Sequence, residues 1–229
     1  MIRQLNFLYI LTIALVGCKT ETKQTTTETQ TVLEENKEVT TAERIAQAHG
    51  YDNWKYIDLI DFTFNVDRGD SHFERSWSWS PKTNTVRLST TEDTIKYNRA
   101  SVDSLSLNAD KGFINDKYWL LVPFQLVWDE GTTISNPIKK TAPISNAELN
   151  MITLTYSDEG GYTPGDAYDI YFDDEYIIRE WVFREGNSEK PSMTTTFENY
   201  QDFGGIKIAK DHKMTDGNFN LYFTNIEVN

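Results

Sequence analysis

Five acidic residues crowd one stretch of this chain: Asp166, Asp169, Asp173, Asp174 and Glu175. Six or more converging oxygens would make such a cluster a calcium site. The spacing lacks a D-x-D-x-D-G loop, and residues alternating along a strand diverge. The cluster reads as a solvated edge whose charges block sheet-to-sheet pairing. His49, His72 and His212 are the only histidines. No H-E-x-x-H, G-x-S-x-G or G-x-x-x-x-G-K-[ST] pattern occurs. Glycoside hydrolysis needs two carboxylates at a fixed separation, and 35 acidic residues single out no pair. These residues assign no catalytic group, no metal and no cofactor.

The single cysteine, Cys18, carries a different chemistry. Before it, Arg3 precedes an almost unbroken apolar run from Leu5 to Val16. A run of about 12 residues fits a secretory leader and falls short of the roughly 20 a membrane span needs. Leu15-Val16-Gly17-Cys18 resembles the lipobox of bacterial lipoproteins. Small Gly17 lets a peptidase reach the bond, and the Cys18 thiol accepts diacylglycerol. The resemblance implies a signal peptide over residues 1–17 and a lipidated Cys18. Each buried methylene then adds ~0.8 kcal/mol of membrane affinity. Lys19 follows, not Asp, which in bacterial lipoproteins goes with the outer membrane. Surface-exposed lipoproteins of Bacteroidota-type bacteria often carry acids just after the cysteine. Glu21 alone fits that pattern, so the periplasmic and surface leaflets both stay open. One thiol also rules out an internal disulfide or a multi-thiolate zinc site.

The chain has 229 residues and a formal charge of −13. That balance argues against non-specific nucleic-acid binding, which relies on cationic side chains. It gives no attraction to anionic lipid either, so an acyl group must do the anchoring. Residues 18–39 hold Thr, Glu, Lys and Gln and no aromatic residue, and read as a disordered tether. Residues 40–229 have the length of one domain.

Thr40-Thr41-Ala42-Glu43 fits a capping box. Ala42, Ile45, Ala46 and His49 then recur at helical spacing, and Gly50 is a natural stop. After Trp54 the period becomes two. Ile60, Phe62, Phe64 and Val66 alternate with polar residues, as do Phe73, Arg75, Trp77 and Trp79. The pattern returns at Tyr168/Ile170/Phe172, Ile177 to Phe183, Met193 to Phe197 and Phe219/Leu221/Phe223. A phase shift to Ile226 and Val228 predicts a bulge near Thr224-Asn225. Tyr162 to Asp166 reads as a tight turn. Between the halves, residues 115–128 form the most apolar stretch of the mature chain. There Asp116 is a candidate helix cap, and Pro123 ends or kinks the helix. Residues 131–146 read as an irregular excursion.

Four stretches are similar to the lipoprotein-carrier superfamily of LolA and LolB type, and more closely to uncharacterised LolA-like lipoproteins of Bacteroidota. They are His49-Gly50 with Trp54, Asn115 through Phe124, Gly160 through Asp166, and Tyr200 through Lys207. The resemblance implies a mainly β fold: a curved antiparallel half-barrel with an N-terminal helix and a short helical or irregular lid. It also implies a cavity that takes acyl chains. Phe62, Phe64, Trp77, Trp79, Trp119, Leu120, Leu121, Phe124 and Trp128 are the candidate wall and lid. The leading expectation is an outer-membrane-anchored, non-catalytic binder of an acyl chain, lipid or other apolar molecule. The alternatives are a structural subunit of an envelope complex, its protein partner unknown and its core filled, or a glycan-active enzyme. A pocket of several hundred Å³ beneath residues 116–128 separates the first from the second.

Overall fold

The computed structural model describes residues 38–159 and 161–229. The leader, Cys18, the tether up to residue 37 and Gly160 lie outside the described residues. Helix α1, Thr41–Ala48, starts on the expected box: Glu43 N–H donates to Thr40 Oγ1 (3.2 Å), and Thr40 N–H to Glu43 Oε2 (2.7 Å). Ala42, Ile45, Ala46 and His49 are buried on one face. Gly50 follows at φ +89°, where a Cβ would fall 2.0 Å from the Gly205 carbonyl oxygen. Only glycine fits that approach.

Strands β1 (Ile60–Arg68), β2 (Ser71–Ser80), β3 (Thr85–Ser89) and β4 (Thr94–Asn98) form a meander. Helices α2 (Leu107–Leu120) and α3 (Val122–Trp128) follow. Then come β5 (Thr132–Ile134), β6 (Ile138–Thr141), β7 (Glu148–Tyr156), β8 (Ala167–Phe172), β9 (Ile178–Arg184) and β10 (Met193–Thr196). The chain ends with β11 (Gln201–Phe203), β12 (Ile206–Ile208), β13 (Asp211–Lys213) and β14 (Phe219–Val228). One large sheet runs β13-β14-β1-β2-β3-β4, a second β10-β9-β8-β7-β5 with β6 also on β7, and β11 and β12 form a small two-stranded sheet. Every pairing is antiparallel.

The sheets meet at a narrow seam. Glu198 bridges Asp211, and Lys213 N–H donates to Thr196 Oγ1 (3.1 Å). The outer edges, β4 on one side and β5 with β6 on the other, do not pair with each other. The result is a mainly β, open, curved half-barrel with its core on the concave side. The bulge is present: Asp61 faces Glu227 and Thr63 faces Thr224, so Asn225 and Ile226 together oppose Phe62. Asn225 takes φ +51° there.

Three expectations need correction. Asp116 does not cap a helix; it is the tenth residue of α2, whose polar first turns hid its start. Leu121 breaks the helix at φ −126°, and Pro123 sits in the first turn of α3, where its missing N–H costs nothing. Residues 131–146 are not wholly irregular, since β5 and β6 pair with β7. The following turn folds onto the back of the second sheet, where buried Glu180 accepts from Ile144 and Ser145 N–H (2.8 Å each). The acidic cluster lies on an interior strand and its turns, since β8 pairs on both sides.

Candidate functional site

Strand alternation puts Ile60, Phe62, Phe64, Val66 and Arg68 of β1 on one row, with Trp79, Trp77, Arg75, Phe73 and Ser71 of β2 directly opposite. This row faces α2 and α3. At one end the helices fill the trough. Phe113 meets Trp77 and Trp79 edge-on, with centroids 5.4 and 5.3 Å apart. Trp54 lies 4.7 Å from Trp128 and 5.8 Å from Phe124. Trp128 Nε1 donates to the Tyr51 hydroxyl (3.1 Å). Phe62 packs on Phe223, and Leu120 and Leu121 are buried in the same cluster. Thus Phe62, Trp77, Trp79, Leu120, Leu121, Phe124 and Trp128 all belong to the packed core.

The other end is hollow. A half-open cavity of about 340 Å³ lies between the sheets. Phe64, Val66, Arg68, Phe219 and Leu221 form one wall, and Tyr168, Trp181, Phe183 and Met193 the other. Asn115 and Trp119 of α2 form the roof, and Tyr162 and Thr163 close one side. Of the nine residues singled out by sequence, Phe64 and Trp119 line this space and the other seven do not. Trp119 crosses Trp181 at 4.4 Å, joining roof to wall. The second sheet's contribution was missed. Its signal was Trp181 and Phe183 on the period-two strand from Ile177 to Phe183.

Polar side chains hold the roof to both walls. Asp116, fully buried, accepts from Arg75 Nε (2.5 Å) and Nη2 (2.6 Å), from Trp77 Nε1 (2.7 Å) and from Asn115 Nδ2 (3.0 Å). Burial raises its pKa above the ordinary carboxylate value, against the pull of Arg75. Gly112 clears the way for this arginine, since a Cβ there would lie 2.8 Å from Arg75 Nη1. On the opposite wall, the Tyr156 hydroxyl donates to Asp129 Oδ2 (2.5 Å) and stands 3.1 Å from the Tyr118 hydroxyl. Tyr162 stacks on Tyr118 at 3.8 Å and donates to Asn115 Oδ1 (2.9 Å). Its turn closes as expected, with Asp166 N–H donating to the Thr163 carbonyl (3.1 Å).

The other chemistry-bearing residues are engaged in structure. Asp169 accepts from Thr153 Oγ1 (2.7 Å) and Arg184 Nη2 (3.2 Å). Asp173 accepts from Ile177 N–H (2.9 Å) and Arg179 Nε (2.8 Å), and Asp174 from Lys139 Nζ (2.7 Å). His49 and His212 are fully buried and donate through Nδ1 to the carbonyls of Ile45 (2.8 Å) and Thr196 (3.2 Å). Burial lowers the pKa of each to about 4, so both are neutral at pH 7. His72 is exposed beside Asp67 (2.7 Å), whose carboxylate raises its pKa. Among the described residues no cluster of three His, Cys, Asp or Glu could hold a metal ion.

Arg68 stands apart. It is the only charged residue lining the cavity, and it makes no ion pair among the described residues. Its guanidinium lies 5.4 Å from the centre of the Phe219 ring. Beyond it the row continues as an open groove over Val66, Ser71, His72 and Phe73, with Phe73 49% exposed. The arrangement is an apolar receptacle with one cation at its rim.

No protein-family model matches the chain, and no curated protein does. Several solved structures are similar to it. A DUF1329 family protein from Desulfovibrio piger ATCC 29098 covers 82% of this chain and 92% of its own, at 9% identity and a TM-score of 0.43. LolA superfamily protein NE2245 from Nitrosomonas europaea covers 83% and 94%, at 11% identity and a TM-score of 0.46.

Proposed function

We propose that this chain is a lipid-anchored, non-catalytic envelope protein that holds an acyl chain or other apolar molecule between its two sheets. The cavity of about 340 Å³ beside Trp119 and Trp181 carries this reading. Its size falls within the ~300–1,000 Å³ of small-molecule sites, and its lining has their apolar and aromatic character. Anchoring through Cys18, outer-membrane placement, a single domain over 40–229 and kinship with the LolA-like lipoproteins of Bacteroidota belong to the same proposal. They rest on the lipobox and the four sequence stretches. Among the described residues no helix is long and apolar enough to cross a membrane. The non-catalytic reading is supported by Asp116, Asp129, His49 and His212, each buried or half-buried and held by packing partners.

A second reading, a structural subunit, draws support from the solid packing of Trp77, Trp79, Phe113 and Phe124. Native mass spectrometry of mild-detergent extracts separates the two. The first expects a co-purified lipid or fatty acid whose occupancy drops in Met193→Phe, which fills the cavity. A ligand-free chain that leaves with a protein partner overturns it. The mass of the N-terminal peptide tests Cys18: an acylated cysteine supports the anchor, and an unmodified, uncleaved leader overturns it.

A further inference from the structure

We propose that the ligand is a single-chain amphiphile with an anionic oxygen head, a fatty carboxylate, and that Arg68 pairs with that head. This rests on the cavity being a ligand site. Three observations converge on it.

The first is charge. The chain carries 35 acidic residues against 22 basic ones, and Arg68, which makes no ion pair among the described residues, is the one charged residue lining the cavity. Pairing geometry explains its isolation. Arg68 lies opposite Ser71 on one side and Phe219 on the other. The neighbouring Asp67 is one residue out of phase, on the other face of the strand, where it is engaged by His72. A planar guanidinium suits bidentate pairing with a carboxylate.

The second is volume. A methylene is close to a water molecule in size, and water occupies ~30 Å³ in the liquid. The cavity therefore takes one chain of roughly ten carbons. The third is polarity along the row. Along β1 the lining runs from Phe64 through Val66 to Arg68, with Leu221 and the rings of Trp119 and Trp181 around the apolar part, and the cation comes last. A tail inside and an anion at the rim match that order. Any excess chain length lies in the groove over Val66 and Phe73.

The test uses the full-length protein in phosphatidylcholine nanodiscs, with empty nanodiscs as the blank. Tryptophan quenching is titrated with ω-bromododecanoate and with uncharged ω-bromododecanol. The carboxylate is expected to saturate quenching at a concentration about tenfold lower, from one charge-assisted contact. Arg68→Gln should bring the two probes together by weakening the carboxylate alone, and Arg68→Lys should keep part of the gap. Raised salt should narrow it. Equal responses to both probes in the wild type, or a gap unchanged in Arg68→Gln, overturn the role of Arg68 and leave the cavity reading standing. Saturable quenching by neither probe overturns both.

Discussion

The two ends of one trough differ in a way that strand pattern alone does not show. At the α3 end, Trp54, Trp79, Phe113, Phe124 and Trp128 interlock around two helices. At the Arg68 end, equally aromatic strands face each other with only Asn115 and Trp119 above them. Both ends are built from period-two aromatic strands. What separates them is how much helix descends between the walls. An aromatic strand is solid core where α2 and α3 supply a filler and a receptacle where they do not.

The largest test of this contrast removes a ring from each end. Phe124→Ala should cost ~3–5 kcal/mol, the range for a large side chain deleted from a core that cannot collapse. Phe183→Ala, beside existing space and already half-exposed, should cost well under half as much. Urea unfolding of both variants measures the difference, and equal losses would erase the distinction. Asp116→Ala should cost a similar ~3–5 kcal/mol by leaving Arg75 without its buried partner. It should also loosen the roof, seen as faster amide exchange along α2.

Acid sharpens the comparison because each end holds a buried histidine. Their folded pKa of about 4 lies below the usual 6.5. Between those values the unfolded chain binds more protons, so stability rises with pH across the window. It is complete above about 6.5 and lost as pH falls toward 4. Each pKa unit corresponds to ~1.4 kcal/mol. His49→Gln and His212→Gln should each flatten the unfolding midpoint between about pH 4.5 and 6.5, inside that titration window. His212 stands 5.3 Å from Trp119, beside the hollow end, and His49 caps the C-terminal end of α1, its ring bonded back to the Ile45 carbonyl. The smallest effect comes from adding atoms. Ala109→Leu, in the packed roof, should cost ~1–3 kcal/mol, and Met193→Phe, facing the void, less than about 1 kcal/mol.

Much of the frame was legible in the sequence because its causes are local. Thr40 and Glu43 sit three apart and satisfy each other's backbone. The phase shift after Phe223 fixes the bulge opposite Phe62. The hollow was not legible, because it depends on neighbours far apart in the chain. Trp119 finds Trp181 only after two sheets join at the Glu198–Asp211 bridge. Strand β7 was missed for a related reason. Met151 points to the back of its sheet, where Ala142, Tyr171 and Val182 cover it, so burial on both faces blurs the alternation. Asp116 looked like a cap because an acid before an apolar run usually is one. Its real partner, Arg75, lies 41 positions earlier.

The double fastening of α2 has a mechanical corollary. Prising the helix upward would strand the Asp116 carboxylate away from its guanidinium and part Tyr118 from Tyr156. Sliding a slender guest in lengthwise beneath the helix disturbs neither bond. On the proposed reading, a ligand would load by threading past Arg68 at the cavity rim.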